Sequence, residues 1–154
     1  MSTNSTPSGA QSEFRKLCVV GLGYVGLPTA AVFASRGLDV VGFDVNADTV
    51  ALINDGQVHI VEPDLDILVN GAVARGKLRA ATEAETADVF ILAVPTPFTD
   101  GNKPDLSYLE SAVKTIAAVL APGNIVILES TSPVGTTDRV SQWLASHRPD
   151  LKLP

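Results

Sequence analysis

The sequence predicts a doubly wound parallel α/β domain, and three observations carry that expectation. Short β-rich apolar runs alternate with helix-length amphipathic stretches, the rhythm of βαβ units around a parallel sheet. The run Val89-Phe90-Ile91-Leu92-Ala93-Val94 is apolar at every position, as a central strand covered by helices on both faces must be. The stretch Gly21-Leu22-Gly23-Tyr24-Val25-Gly26 joins the apolar run from Leu17 to Val20 to an apolar helical pattern closed by Gly37. It reads as strand, glycine turn and helix.

Taken in order, the strands are Lys16 to Val20, Asp39 to Phe43, a short Lys77 to Ala80, Val89 to Val94 and Ile125 to Glu129, with Leu151 to Leu153 opening a sixth. The helices are placed by their punctuation. Pro28 falls in a first turn, where its missing N–H is harmless, and Gly37 follows the last turn as a left-handed cap. Asn46 caps a helix from Ala47 to Ile53, and Pro63 starts one that reaches about Arg75 before Gly76. Asp105 caps Leu106 to Leu120, which Pro122-Gly123 stops. Thr136 or Thr137 caps the last helix, where Val140, Trp143 and Leu144 stand at helical spacing and Trp143 is a core anchor.

The chain of 154 residues is one domain's length. Residues 1–13, rich in Ser, Thr, Asn and Gly, read as a disordered leader without an apolar export signal, and residues 14–154 as the folded domain. No apolar run approaches the roughly 18 residues that cross a bilayer, which argues against membrane insertion. A net charge of −6 with only 11 Lys and Arg and no basic stripe argues against a nucleic-acid surface. The single cysteine, Cys18, sits inside the first strand as a small buried hydrophobe, which together with the missing export signal fits the cytoplasm. His59 has no Cys or His at metal-ligand spacing, so no metal site is expected.

The chemistry begins at the glycine turn. Gly21 permits the tight turn, Gly23 lets the backbone approach a pyrophosphate, and Gly26 lets the helix pack close to the strand. The helix N-terminus then offers free N–H groups and a partial positive charge to phosphates. Asp44 ends the second strand 18 residues after Gly26, where a carboxylate meets the adenosine ribose hydroxyls. It would repel a 2′-phosphate, and Val45, Asn46 and Ala47 offer no cation to offset that. NAD is therefore expected as cofactor over NADP.

Ligands of such sheets lie over the carboxyl ends of the strands, so the segments after the fourth and fifth strands face the same crevice. After the fourth, Pro95-Thr96-Pro97-Phe98 stiffens the exit and fixes Thr96 beside the cofactor path. After the fifth, Glu129-Ser130-Thr131-Ser132-Pro133-Val134-Gly135-Thr136-Thr137 carries more hydroxyls than helix capping uses. Glu129 is either satisfied by neighbouring backbone N–H groups or placed near the nicotinamide.

These strings together resemble the UDP-glucose/GDP-mannose dehydrogenase family. Gly21-Leu22-Gly23-Tyr24-Val25-Gly26-Leu27-Pro28, Pro95-Thr96-Pro97 and Glu129-Ser130-Thr131 occur in the family's order, and the likeness runs from Leu17 to Pro154. With His59-Ile60-Val61-Glu62-Pro63-Asp64-Leu65 it is strongest to members that act on UDP-N-acetyl-D-mannosamine. The resemblance implies a Rossmann-type fold and oxidation of the C6 hydroxyl of a UDP-sugar to a carboxylate with two NAD, in polysaccharide biosynthesis. It implies that Tyr24 and Val25 contact the pyrophosphate, that Asp44 holds the ribose, and that Thr96 and Thr137 contact the cofactor. Thr131 would lie near the reacting carbon as the catalytic candidate, orienting a water or stabilising developing charge. The family's nucleophilic cysteine and lysine, and the central helix through which members dimerise, belong to sequence beyond Pro154. The chain is thus expected to be the front portion of a longer enzyme, truncated before that helix and a C-terminal domain, able to bind NAD but inactive alone. A sibling acting on UDP-N-acetylglucosamine or UDP-glucose, and a free-standing NAD-binding module, are the alternatives.

Overall fold

The computed structural model describes residues 14–153, so the expected leader lies outside the described residues. The strands are β1 (Lys16–Val20), β2 (Asp39–Phe43), β3 (Leu78–Ala81), β4 (Val89–Leu92), β5 (Phe98–Thr99), β6 (Lys103–Pro104) and β7 (Ile125–Leu128). The helices are α1 (Gly26–Ser35), α2 (Ala47–Asn54), α3 (Leu65–Ala74), α4 (Ser107–Ala117) and α5 (Thr136–His147). Five strands form one parallel sheet in the order β3-β2-β1-β4-β7, the Rossmann-type arrangement the sequence predicts. The chain leaves β1 toward β2 and returns on its other side at β4, which makes the space above β1 and β4 the topological switch point.

Alternation along the strands divides the core in two. Leu17, Val19, Val40, Leu78 and Ile91 face α1, α2 and α3 on one side. Cys18, Val20, Val41, Phe90 and Leu92 face α4 and α5 on the other. Cys18 is fully buried, as expected, and burial pushes its thiol up to about 11. Trp143 is half-buried against the second core, with the Arg139 guanidinium 5.7 Å from its ring centroid.

Helix ends follow the sequence signals closely where glycine or asparagine supplies them. After α1, the Gly37 N–H donates to Ala34 O and the Leu38 N–H to Phe33 O, with Gly37 at φ 96°, a Schellman cap that α2 repeats at Gly56 and α3 at Gly76. The Asn46 side-chain Oδ1 accepts from the amides of Asp48 and Thr49 to start α2. The starts of α3, α4 and α5 differ from expectation. Helix α3 begins at Leu65 behind a left-handed Asp64, two residues past Pro63. Asp105 accepts from the Ser107 amide, and α4 begins at Ser107. Neither threonine caps α5: Gly135 holds the N-cap at φ 85°, and the buried Thr136 donates its hydroxyl to Pro133 O at 2.7 Å.

Strands β4 and β7 end before Val94 and Glu129 because the ladder dissolves there. The amides of Glu129 and Ser130 both donate to Leu92 O, and Pro95 brings no N–H to continue the pairing. The sixth strand expected at Leu151 to Leu153 is absent from the described residues. Leu151 and Leu153 fold back onto the α4–α5 core, held by Arg148, whose guanidinium donates to Ala117 O and Leu120 O and pairs with Asp150. The β5–β6 hairpin has no counterpart in the expected elements, since two-residue strands show no periodicity. Its only signal is Asp100-Gly101-Asn102, whose last two residues take positive φ.

Candidate functional site

The strand ends, the glycine turn and α4 enclose a crevice of about 610 Å³ at the switch point, within the roughly 300–1,000 Å³ typical of cofactor sites. Its lining includes Gly21, Gly23, Tyr24 and Val25 from the glycine turn, Asp44 after β2, Thr96 after β4, and Thr131 after β7. Residues far apart in sequence and singled out there thus converge on one space.

Each glycine of the turn has a distinct geometric reason. Gly21 sits at φ 91°, where side chains are strained, and a Cβ there would lie 2.9 Å from Ala93 O. At Gly26 a Cβ would lie 1.7 Å from Gly21 O, so this buried glycine sets how closely α1 packs and does not itself line the crevice. Gly23 has no atom within 4 Å of where its Cβ would point. Among the described residues nothing accepts from the amides of Tyr24 and Val25, and no side chain caps α1. Those N–H groups, at the positive end of a helix, suit a pyrophosphate.

Asp44 is braced from two sides. Its Oδ2 accepts from the Leu22 amide at 2.9 Å and its Oδ1 from the Asn46 amide at 2.9 Å. The carboxylate therefore holds the glycine turn against the end of β2, and each oxygen keeps a lone pair for a ribose hydroxyl. At the other end of the crevice the Thr96 hydroxyl donates to Thr131 O, which leaves its oxygen as an acceptor toward a ligand. Ser130 donates its hydroxyl to Val94 O at 2.6 Å, and Thr29 of α1 donates to Glu129 Oε1 at 2.7 Å. Glu129 is thus satisfied by a side-chain hydroxyl, neither by backbone amides nor by a place in the crevice lining. Thr137 also stands outside that lining, exposed in the first turn of α5.

The sequence reading missed one wall. Tyr108, Ser111, Ala112 and Thr115 of α4 line the crevice beside Phe43 and Val45. Tyr108, Ser111 and Thr115, at i, i+3 and i+7, are visible in the sequence as a hydroxyl stripe flanking the buried stripe Leu109, Ala112, Val113, Ile116. A polar stripe on a helix ordinarily signals solvent, so nothing in it pointed to a ligand. Among the described residues no group of His, Cys, Asp or Glu is arranged to hold a metal ion, and no helix is long and apolar enough to cross a membrane.

Comparison with known proteins agrees with this geometry. Residues 15–153 match the NAD-binding domain of the UDP-glucose/GDP-mannose dehydrogenase family. An NDP-N-acetyl-D-galactosaminuronic acid dehydrogenase of Ralstonia nicotianae is 59% identical over 92% of this chain and 34% of its own. A UDP-N-acetyl-D-mannosamine dehydrogenase of Campylobacter jejuni is 58% identical over 93% of this chain and 35% of its own. The solved UDP-D-ManNAc dehydrogenase of Pyrococcus horikoshii superimposes with a TM-score of 0.85 at 42% identity, covering 90% of this chain and 33% of that one. The chain spans about a third of the length of the curated relatives it matches.

Proposed function

We propose, for a chain that belongs to the UDP-glucose/GDP-mannose dehydrogenase family, that it is the NAD-binding part of a UDP-N-acetyl-D-mannosamine 6-dehydrogenase acting in the cytoplasm in polysaccharide biosynthesis. The observation that carries the reading is the convergence of the unpaired amides of Tyr24 and Val25, the Asp44 carboxylate, Thr96 and Thr131 on one crevice. When bound, NAD supplies the acceptor for the hydride that leaves the sugar C6 carbon. The chain's own residues orient it. Asp44 accepts from the adenosine ribose hydroxyls, the α1 amides donate to the pyrophosphate, and the apolar slot between Val45 and α4 receives the adenine. Thr96 offers an acceptor to the nicotinamide half, and Thr131 lies where the C6 carbon would approach. A contact from Thr137 comes from outside the crevice lining, at the mouth of α5. The nucleophilic cysteine and the lysine of the two-step oxidation, and the surface of the homo-oligomer, belong to the part of the enzyme these residues do not include.

The relative named for N-acetyl-D-galactosaminuronic acid supports a second reading, a sibling acting on another nucleotide sugar of the N-acetylhexosamine class. Turnover of the two sugar nucleotides by the enzyme purified from its source cells separates the readings.

Calorimetric titration tests the cofactor half directly. The 154-residue chain binds NAD saturably and NADP more weakly, and forms no NADH from UDP-N-acetylmannosamine. Asp44→Ala lowers NAD affinity by about tenfold or more, the loss expected when hydrogen bonds to a charged acceptor are removed. Asp44→Asn, which keeps an acceptor for the Leu22 amide, shows how much of that loss comes from the glycine turn. A folded wild type that bound neither nucleotide would end the proposal.

A further inference from the structure

We infer that Thr29 and Glu129 form a latch that sets the segment after β7 against the glycine-turn helix, and so are positioning residues for the nicotinamide half of the cofactor. The inference rests on the reading that the crevice holds NAD. An extended dinucleotide laid across the strand ends meets β2 first, where Asp44 marks the adenosine ribose, then the turn after β1, then the exits of β4 and β7. The nicotinamide half therefore lies over Thr96, Ser130 and Thr131.

The segment carrying Ser130 and Thr131 has left the β7 ladder; the amides of Glu129 and Ser130 still donate to Leu92 O, and beyond them side chains set its position. Side-chain ties bind it to the exit of β4: Ser130 to Val94 O, and Thr96 to Thr131 O. A further tie joins it to a different element. Thr29 stands three residues into α1 beyond Gly26 and reaches across the end of β4 to Glu129, 2.7 Å away. Among the described residues this is the one hydrogen bond between α1 and the segment after β7. The helix whose N-terminus faces the pyrophosphate is thereby fixed to the segment that faces the nicotinamide. Neither residue lines the crevice, so the pair acts on the cofactor only through what it positions.

NADH and ADP-ribose separate this role from a general one, since ADP-ribose keeps the adenosine and pyrophosphate but lacks the nicotinamide. Thr29→Val removes the donor at nearly constant volume. It weakens NADH binding by about fivefold, because a released segment must be ordered again as the nicotinamide half binds, and leaves ADP-ribose binding unchanged. The fluorescence gain of bound NADH falls with it. Thr29→Ser and Glu129→Gln, which preserve donor and acceptor respectively, keep NADH affinity within about twofold. Equal losses for both ligands in folded Thr29→Val, or no loss for either, would overturn the inference. Failure of the wild type to bind either ligand would overturn the cofactor reading and this inference with it.

Discussion

The two edges of the sheet solve the same problem in opposite ways. Each edge strand has one face without a helix, because α1 to α3 stop short of β7 and α4 and α5 stop short of β3. On β3 that face carries Arg79, which makes a two-pronged ion pair with Glu85, joined by Lys16 of β1 at 3.3 Å. The free hydrogen-bonding edge of β3 is closed as well: the Asn54 amide donates to Ala80 O at 2.9 Å and accepts from the Ala80 N–H at 2.7 Å, as a neighbouring strand would. On β7 the bare face carries Ile125 and Ile127, 40% and 44% exposed, with no side-chain bond along its edge among the described residues. A charged network belongs to a surface that stays in water; a pair of isoleucines belongs to a core. That contrast fits the proposed reading of a domain that works inside a longer enzyme.

Truncation of matched apolar side chains breaks the comparison hardest. Leu78→Ala, on the helix-covered face of β3, leaves a cavity in a fully packed site and costs about 2–5 kcal/mol. Ile125→Ala, in the corresponding row of β7, removes a side chain already 40% exposed and costs about 1 kcal/mol. Urea unfolding of the two variants measures the gap, and equal costs would mean that β7 is covered in solution. Asn54→Ala tests the closed edge next. It strands the Ala80 N–H and C=O together, and about 1–3 kcal/mol of stability is lost with no change at the crevice. NAD affinity measured on the same variant stays at the wild-type value.

The parts of the molecule that could be read from sequence are those whose signal is local. β1 and β2, the glycine ends of α1 and α3 at Gly37 and Gly76, and the Asn46 cap each depend on a residue type at one position or on an alternation within five. The same holds for the site: Gly21, Gly26 and Asp44 have stereochemical jobs that few residues can do. What escaped reading depends on neighbours the sequence does not announce. Glu129 reads in the sequence as a partner of backbone amides or of the nicotinamide, because nothing in the chain says that Thr29, 100 residues earlier, will lie beside it. The hydroxyl stripe of α4 looks like any solvated face until Phe43 and Val45 arrive opposite it. Leu151 to Leu153 has a strand's composition, but without a partner strand its leucines return to the α4–α5 core.

The smallest expected effect concerns the ion network that keeps the β3 face polar. The Arg79 guanidinium, aided by Lys16, holds the Glu85 carboxyl down to about 2, below its ordinary 4.5. The folded chain therefore binds fewer protons than the unfolded chain between those values, so the stabilisation from Glu85 is complete above about pH 4.5 and disappears as pH falls toward 2. Both partners are partly in water, with 52% and 35% of their side chains exposed, so salt screens much of the attraction and the contribution is modest. Glu85→Gln, compared with wild type by urea unfolding from pH 7 down to pH 2, should be less stable at neutral pH, with the difference shrinking through the acid range. Added salt should shrink it too. A difference that held constant across pH would mean that Glu85 acts by packing over Cys18, and the polar face of β3 would then owe its stability to shape, as the helix-covered faces do.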